Sequence, residues 1–203
     1  MNVPFRLLLI TALLTLGASP ATAEWKAVSR LQQRLAEAAI DQTRERVVYD
    51  GSYRVIAYPG GDVPRDRGVC SDVIIRAYRE LGIDLQVLVH EDMAAHFSLY
   101  PHDWGLAQPD SNIDHRRVPN LQTFFVRNGE KLRVTPNPLD YEPGDLVTWV
   151  VDRSLPHIGI VSAELNSDGA RPLMIHNIGD GPQLEDMLFA YPITGHYRYP
   201  AAN

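Results

Sequence analysis

The sequence predicts an α+β fold in which N-terminal helices pack on an antiparallel β-meander. Three observations carry that prediction. Helical periodicity governs residues 24–46 and 70–81, whereas from Pro143 onward the chain turns to short β-branched and aromatic runs. Those runs are separated by turns, with no helical pattern between them, so the elements are segregated and do not alternate.

The first segment is expected to leave before the protein works. Arg6 precedes the apolar run Leu7–Leu16, and Ala21-Thr22-Ala23 supplies an A-x-A cleavage site. The run is too short to span a bilayer as a helix. Residues 1–23 therefore read as a signal peptide, with a periplasmic or secreted product and no stable membrane anchor. Removal of those 23 leaves 180 of the 203 residues, enough for one domain with a real core. Only Arg6 departs with the signal, so the formal charge moves from −6 to −7. That acidic balance argues against nucleic acid as a partner.

Residues 24–46 read as an amphipathic helix, with Trp25, Val28, Leu31, Leu35 and Ala39 at steps of three and four. A β-rich stretch follows at Val47–Tyr49. Ser52–Tyr58 continues it, with Tyr53, Val55 and Ala57 alternating against Arg54 and Ile56 until Pro59-Gly60-Gly61-Asp62 breaks the pattern. Cys70 to Leu81 is the strongest helix: Cys70, Val73, Ile74, Ala77 and Leu81 share one face, and Gly82 is its stop. A further helix is expected at Glu91–Tyr100 and a polar surface loop at Gln108–Pro119. Asn120 is expected to cap a short helix through Phe125, closed by Gly129. Strands then follow at Leu146–Val151, His157–Ser162 and Leu173–Ile178.

Cys70 is the only cysteine. Exported proteins that use cysteine structurally carry it in pairs, so a lone one is a link to another chain, a buried core residue or a reactive thiol. Thiols attack acyl carbons as thiolates, which a helix N-terminus and a neighbouring histidine both favour. Cys70 starts its helix and so has the first of these. Of seven histidines, His157 begins one strand and His176 ends the next, which makes them neighbours in an antiparallel pair. Together they supply a base and a group to orient it. Asn177 is the other orienting group, though strand alternation turns it to the opposite face from His176. His90, His96 and His102 lie near Asp92 and Asp103 without forming a metal-binding helix face, so no metal and no cofactor is expected. His196 reads as a surface or packing residue.

The order of these motifs resembles the NlpC-type cell-wall peptidases, a circularly permuted papain-like superfamily. Its carriers are Cys70-Ser71 at a helix start, Pro143-Gly144-Asp145-Leu146-Val147, His157-Ile158-Gly159-Ile160 and Met174-Ile175-His176-Asn177. The mature chain is more similar still to the YijF-like family of uncharacterised exported proteins. That likeness rests on Tyr58-Pro59-Gly60-Gly61-Asp62, Gly68-Val69-Cys70-Ser71-Asp72, Asn112–Arg117 and Thr194-Gly195-His196-Tyr197. The chain departs from NlpC-type members at Asp72, where a small residue commonly follows Cys-Ser. The resemblance implies a papain-like catalytic domain over residues 47–203, with Cys70 as nucleophile, His157 as base and His176 as third polar residue. It also implies cleavage of amide bonds in peptidoglycan or muropeptides. A cysteine acyltransferase and a non-catalytic module binding cell-wall peptides are the alternatives.

Several residues are candidates for the substrate side. The Cys70 backbone N–H, joined by the hydroxyl of Tyr53 or Tyr58, would stabilise an oxyanion. Arg116 and Arg117 would clamp a carboxylate or else pair with Asp110 or Asp114. Asp62 and Asp72 would position a substrate amine, fix the loop before Cys70, or cap its helix.

Overall fold

A computed structural model describes residues 29–201. The expected signal peptide and the start of the expected N-terminal helix lie outside that range. Among the described residues α1 spans Arg30–Gln42. A reciprocal capping box opens it: the Gln32 N–H donates to Ser29 Oγ, and the Ser29 N–H donates to Gln32 Oε1. Leu35, Ala36 and Ala39 are its buried stripe.

Strand β1, Val48–Tyr49, pairs in parallel with β2, Arg67–Gly68. The segment between them is not the expected strand. Val55 is 83% exposed, and Tyr53 and Tyr58 also face outward, so the alternation points the opposite way. The backbone there bonds to side chains instead of to a ladder: the Ile56 N–H donates to Asn112 Oδ1, and Arg116 reaches the Ser52 carbonyl.

Helix α2, Cys70–Glu80, ends as expected, with Gly82 in the left-handed region at φ 79°. The next helix, α3, spans Leu85–His96 and thus begins earlier than predicted. Asp84 caps it by accepting the Gln86 N–H, and Leu85, Val89 and Met93 repeat every four residues on the buried side. Helix α4, Val118–Asn128, begins before Asn120, which is buried inside it and donates to the Asp114 carbonyl. The expected surface loop at Gln108–Pro119 is also corrected. Its short 3-10 turn, Asp114–Arg116, is buried: Arg116 is neutralised by Asp72, and Asp114 accepts the Asp110 N–H and lies against His90.

The main sheet comprises β3 (Glu130–Lys131), β4 (Leu146–Val151), β5 (Leu155–Leu165), β6 (Pro172–His176), β7 (Gln183–Glu185) and β8 (Ile193–Arg198). All its pairings are antiparallel, in the order β3-β8-β4-β5-β6-β7. The helices cover one face, where Leu146, Ile158, Ile160, Ile175 and Tyr197 join a core with Val73, Ile74 and Phe125. Trp149, Val147, Val161 and Met174 point the other way, against Tyr141, Met187 and Leu188. Burial on both faces explains why Leu146–Val151 reads as a continuous apolar run. Each such side chain contributes roughly 1.5–3 kcal/mol over its exposed state. His196 is a packing residue: its ring stacks on Tyr141, and Nε2 lies 2.9 Å from Asp145, which Arg198 also holds.

Candidate active site

Cys70 is the first residue of α2, and Asp72 fixes the approach to it by accepting the Val69 N–H at 2.6 Å. The thiol is only 4% exposed and is directed at the sheet. Backbone N–H groups of Ile158, Ser71 and Cys70 itself favour its thiolate, but burial outweighs them and pushes the thiol up to about 11. The position at the helix start is therefore as expected, while the resting sulfur is a thiol.

His157 pairs across β4 with Trp149 and shares that face of the sheet. His176 lies on the same side, with its Nδ1 3.1 Å from His157 Nε2 and the rings nearly perpendicular at 88°. Gly159 makes room for this pair: a Cβ there would sit 2.9 Å from the Ile175 carbonyl oxygen and 3.2 Å from His176 Cβ. On its far side, His176 Nε2 lies 2.9 Å from Glu185 Oε2 on β7, off the axis of the ring N–H. Glu185 was not among the residues singled out from sequence.

This row favours one arrangement of protons. The Glu185 carboxylate favours a hydrogen on His176 Nε2, which leaves His176 Nδ1 as acceptor. In that arrangement His157 donates from Nε2 and its Nδ1 carries the lone pair. Burial, with His176 beside it, pulls His157 down to about 3, so the imidazole is neutral at ordinary pH. Burial also lowers His176, against the opposing pull of Glu185. Among the described residues no hydrogen bond joins the Cys70 sulfur to either ring. The Ile158 backbone N–H acts on the thiol instead, and Ile158 directly follows His157 in the chain. Asn177 does not orient the base; its amide reaches the Gly68 carbonyl at 3.4 Å and ties β6 to the strand before Cys70.

A cleft of about 450 Å³ opens onto Cys70, walled by Tyr49, Tyr53, Trp104, Arg117 and Pro156. Tyr49 is a second residue that sequence reasoning passed over. Its hydroxyl is held protonated, pushed up to about 12 by burial and by the proximity of Cys70 and Asp72. Tyr53 also lines the cleft, but its hydroxyl donates to Asp110. Tyr58 stacks edge-on against His90, outside the cleft wall.

The two arginines divide. Arg116 is buried and bidentate on Asp72, with bonds of 2.8 and 2.9 Å, and also reaches the Ser52 and Asp50 carbonyls. Neither Arg116 nor Asp72 is thus free for substrate; the partner of Arg116 is Asp72, not the Asp110 or Asp114 considered from sequence. Asp62 is likewise engaged, 2.9 Å from Arg76 and 3.8 Å from Arg79. Arg117 keeps its charge in the cleft, stacked 4.1 Å over the Trp104 ring. His90 and His96 pair with Asp114 and Asp92, and His102 packs on Phe97.

Comparison with known proteins gives a family. The family described as "Domain of unknown function (DUF1287)" matches residues 36–199. The uncharacterized protein YijF of Escherichia coli (strain K12) is 54% identical over 165 residues, covering 81% of this chain and 80% of that protein.

Proposed function

The chain belongs to the DUF1287 family, and from that premise we propose that it is an exported cysteine hydrolase of NlpC-type papain-like fold. Its substrates are amides, foremost in peptidoglycan stem peptides. The observation that carries this reading is the His157–His176 pair, 3.1 Å apart and backed by Glu185, on the strand whose Ile158 backbone N–H acts on the Cys70 sulfur. A neutral imidazole able to accept the proton of a thiol at a helix start is the pairing that cysteine acyl transfer uses.

The reaction starts from a neutral pair. As Cys70 Sγ bonds to the amide carbon, its proton passes to His157 Nδ1, and the carbonyl electrons move onto oxygen. The Cys70 N–H at the helix start and the Tyr49 hydroxyl are the donors for that oxyanion. Collapse breaks the C–N bond, and the His157 proton leaves with the amine. Water then attacks the thioester, gives its proton to the same nitrogen, and restores the thiol while releasing the carboxylic acid. His157 must close on the sulfur as substrate seats, a tightening common at such sites.

A neutral resting pair has a direct consequence. With the thiol near 11, about one molecule in ten thousand carries thiolate at pH 7. Iodoacetamide labelling of Cys70 in the folded protein is expected to rise about tenfold per pH unit from 7 to 10. A labelling rate that has already levelled off at pH 6 contradicts the neutral pair.

The buried thiol, with no hydrogen bond to an imidazole, favours one second reading: a module that holds cell-wall peptides without cutting them. Product masses after incubation with muropeptides test the proposal against it. Hydrolysis adds one water per bond cut; transfer to an amine joins two fragments instead. Unchanged muropeptides support the binding module and sink the hydrolase.

A further inference from the structure

The cleft at Cys70 carries a cation, Arg117, that makes no ion pair among the described residues. Among the described residues, no carboxylate lies within ion-pair distance of Arg117, although Asp110 and Asp114 are near enough to act on its charge. Asp110 is committed elsewhere, and Asp114 is engaged through Oδ2, its Oδ1 being buried without a hydrogen-bond partner. Asp110 accepts from the Tyr53 hydroxyl and from Asn112, while Asp114 accepts the Asp110 N–H and lies against His90. The guanidinium is instead laid on Trp104, an arrangement that fixes its plane and leaves its N–H groups unspent. The contrast with Arg116, next in sequence and wholly used by Asp72, separates a structural arginine from an available one.

We propose that Arg117 is the anion-recognising residue of the Cys70 cleft, so that its ligands are amides bearing a free carboxylate close to the scissile bond. The term "scissile" rests on the hydrolase reading; the recognition of the carboxylate does not. Arginine suits the task because its planar fork takes a carboxylate through two parallel hydrogen bonds. Partial burial also disfavours the bare cation, a cost that an incoming carboxylate would relieve. The remaining walls of the cleft, Tyr49, Tyr53, Trp104 and Pro156, are largely apolar and offer no second cation except the committed Arg116. Orientation of a bound peptide thus falls to one charge.

The test uses the full-length mature protein with Cys70→Ala, which binds without turnover. It is titrated with a disaccharide tetrapeptide muropeptide and with the same compound after its peptide carboxylates are converted to carboxamides. The charged form is expected to bind about tenfold or more tightly than its neutral counterpart. Adding Arg117→Gln should remove most of that preference, and Arg117→Lys should restore part of it. Equal binding of the two forms, or an undiminished preference in Arg117→Gln, overturns the proposal. Turnover by the protein with Cys70 intact is read separately. Binding with the preference but without cleavage overturns the hydrolase reading alone, whereas equal cleavage of both forms overturns carboxylate recognition alone.

Discussion

Arg116→Met is expected to destabilise the protein by about 3–5 kcal/mol, because it strands the Asp72 carboxylate in the interior. Both side chains are almost fully buried, at 2% and 3% exposure, so a carboxylate left alone there is cut off from bulk solvent. Asp72 does more than pair: it also accepts the Val69 N–H and so holds the turn that delivers Cys70 to its helix start. Arg116 in turn anchors the Asp50 and Ser52 carbonyls, on the stretch that leads from β1 past the cleft. Urea unfolding at unchanged m-value measures the loss. Arg116→Met combined with Asp72→Leu should recover part of it, since an apolar pair leaves no buried charge. A midpoint shift worth less than about 1 kcal/mol would show the pair to be dispensable.

His157→Gln is expected to lower kcat/KM on muropeptides by about 10²–10⁴-fold, the usual worth of a positioned general base. Gln cannot take the Cys70 proton at any pH, while its amide retains a donor toward His176 Nδ1, so the row should persist and the fold with it. Glu185→Gln should cost less, because it weakens the preference for one tautomer without removing the base. Near wild-type rates in His157→Gln, with the variant folded by its urea midpoint, would leave the row Glu185–His176–His157 without a role in chemistry.

What the sequence made legible was whatever depended on local pattern. Turns separate the short strands from Pro143 onward, and Gly82 ends α2 where a left-handed residue is needed. The antiparallel order of β5 and β6 follows from the short link between them, and that alone makes His157 and His176 neighbours. The residues that escaped notice depend on contacts between distant elements. Glu185 sits in a three-residue strand, and its meeting with His176 depends on the β6–β7 register. Tyr49 ends a two-residue strand, and only its pairing with Gly68 sets it beside Cys70. Arg116 and Asp72 stand 44 positions apart. Their mutual neutralisation lets a polar segment be buried where composition alone reads as surface. Ser52–Tyr58 misled for the complementary reason: its alternation is real, but side chains of Asn112 and Arg116 take the bonds that a strand partner would have taken.

The central claim is that the Cys70 sulfur forms the bond to the substrate's acyl carbon. Mass spectrometry of muropeptide digests with the mature protein and with Cys70→Ala measures this most directly. The account predicts hydrolysed fragments with Cys70 in place, and intact muropeptides with Cys70→Ala at an unchanged urea midpoint. Fragments appearing at the same rate from both proteins would contradict it.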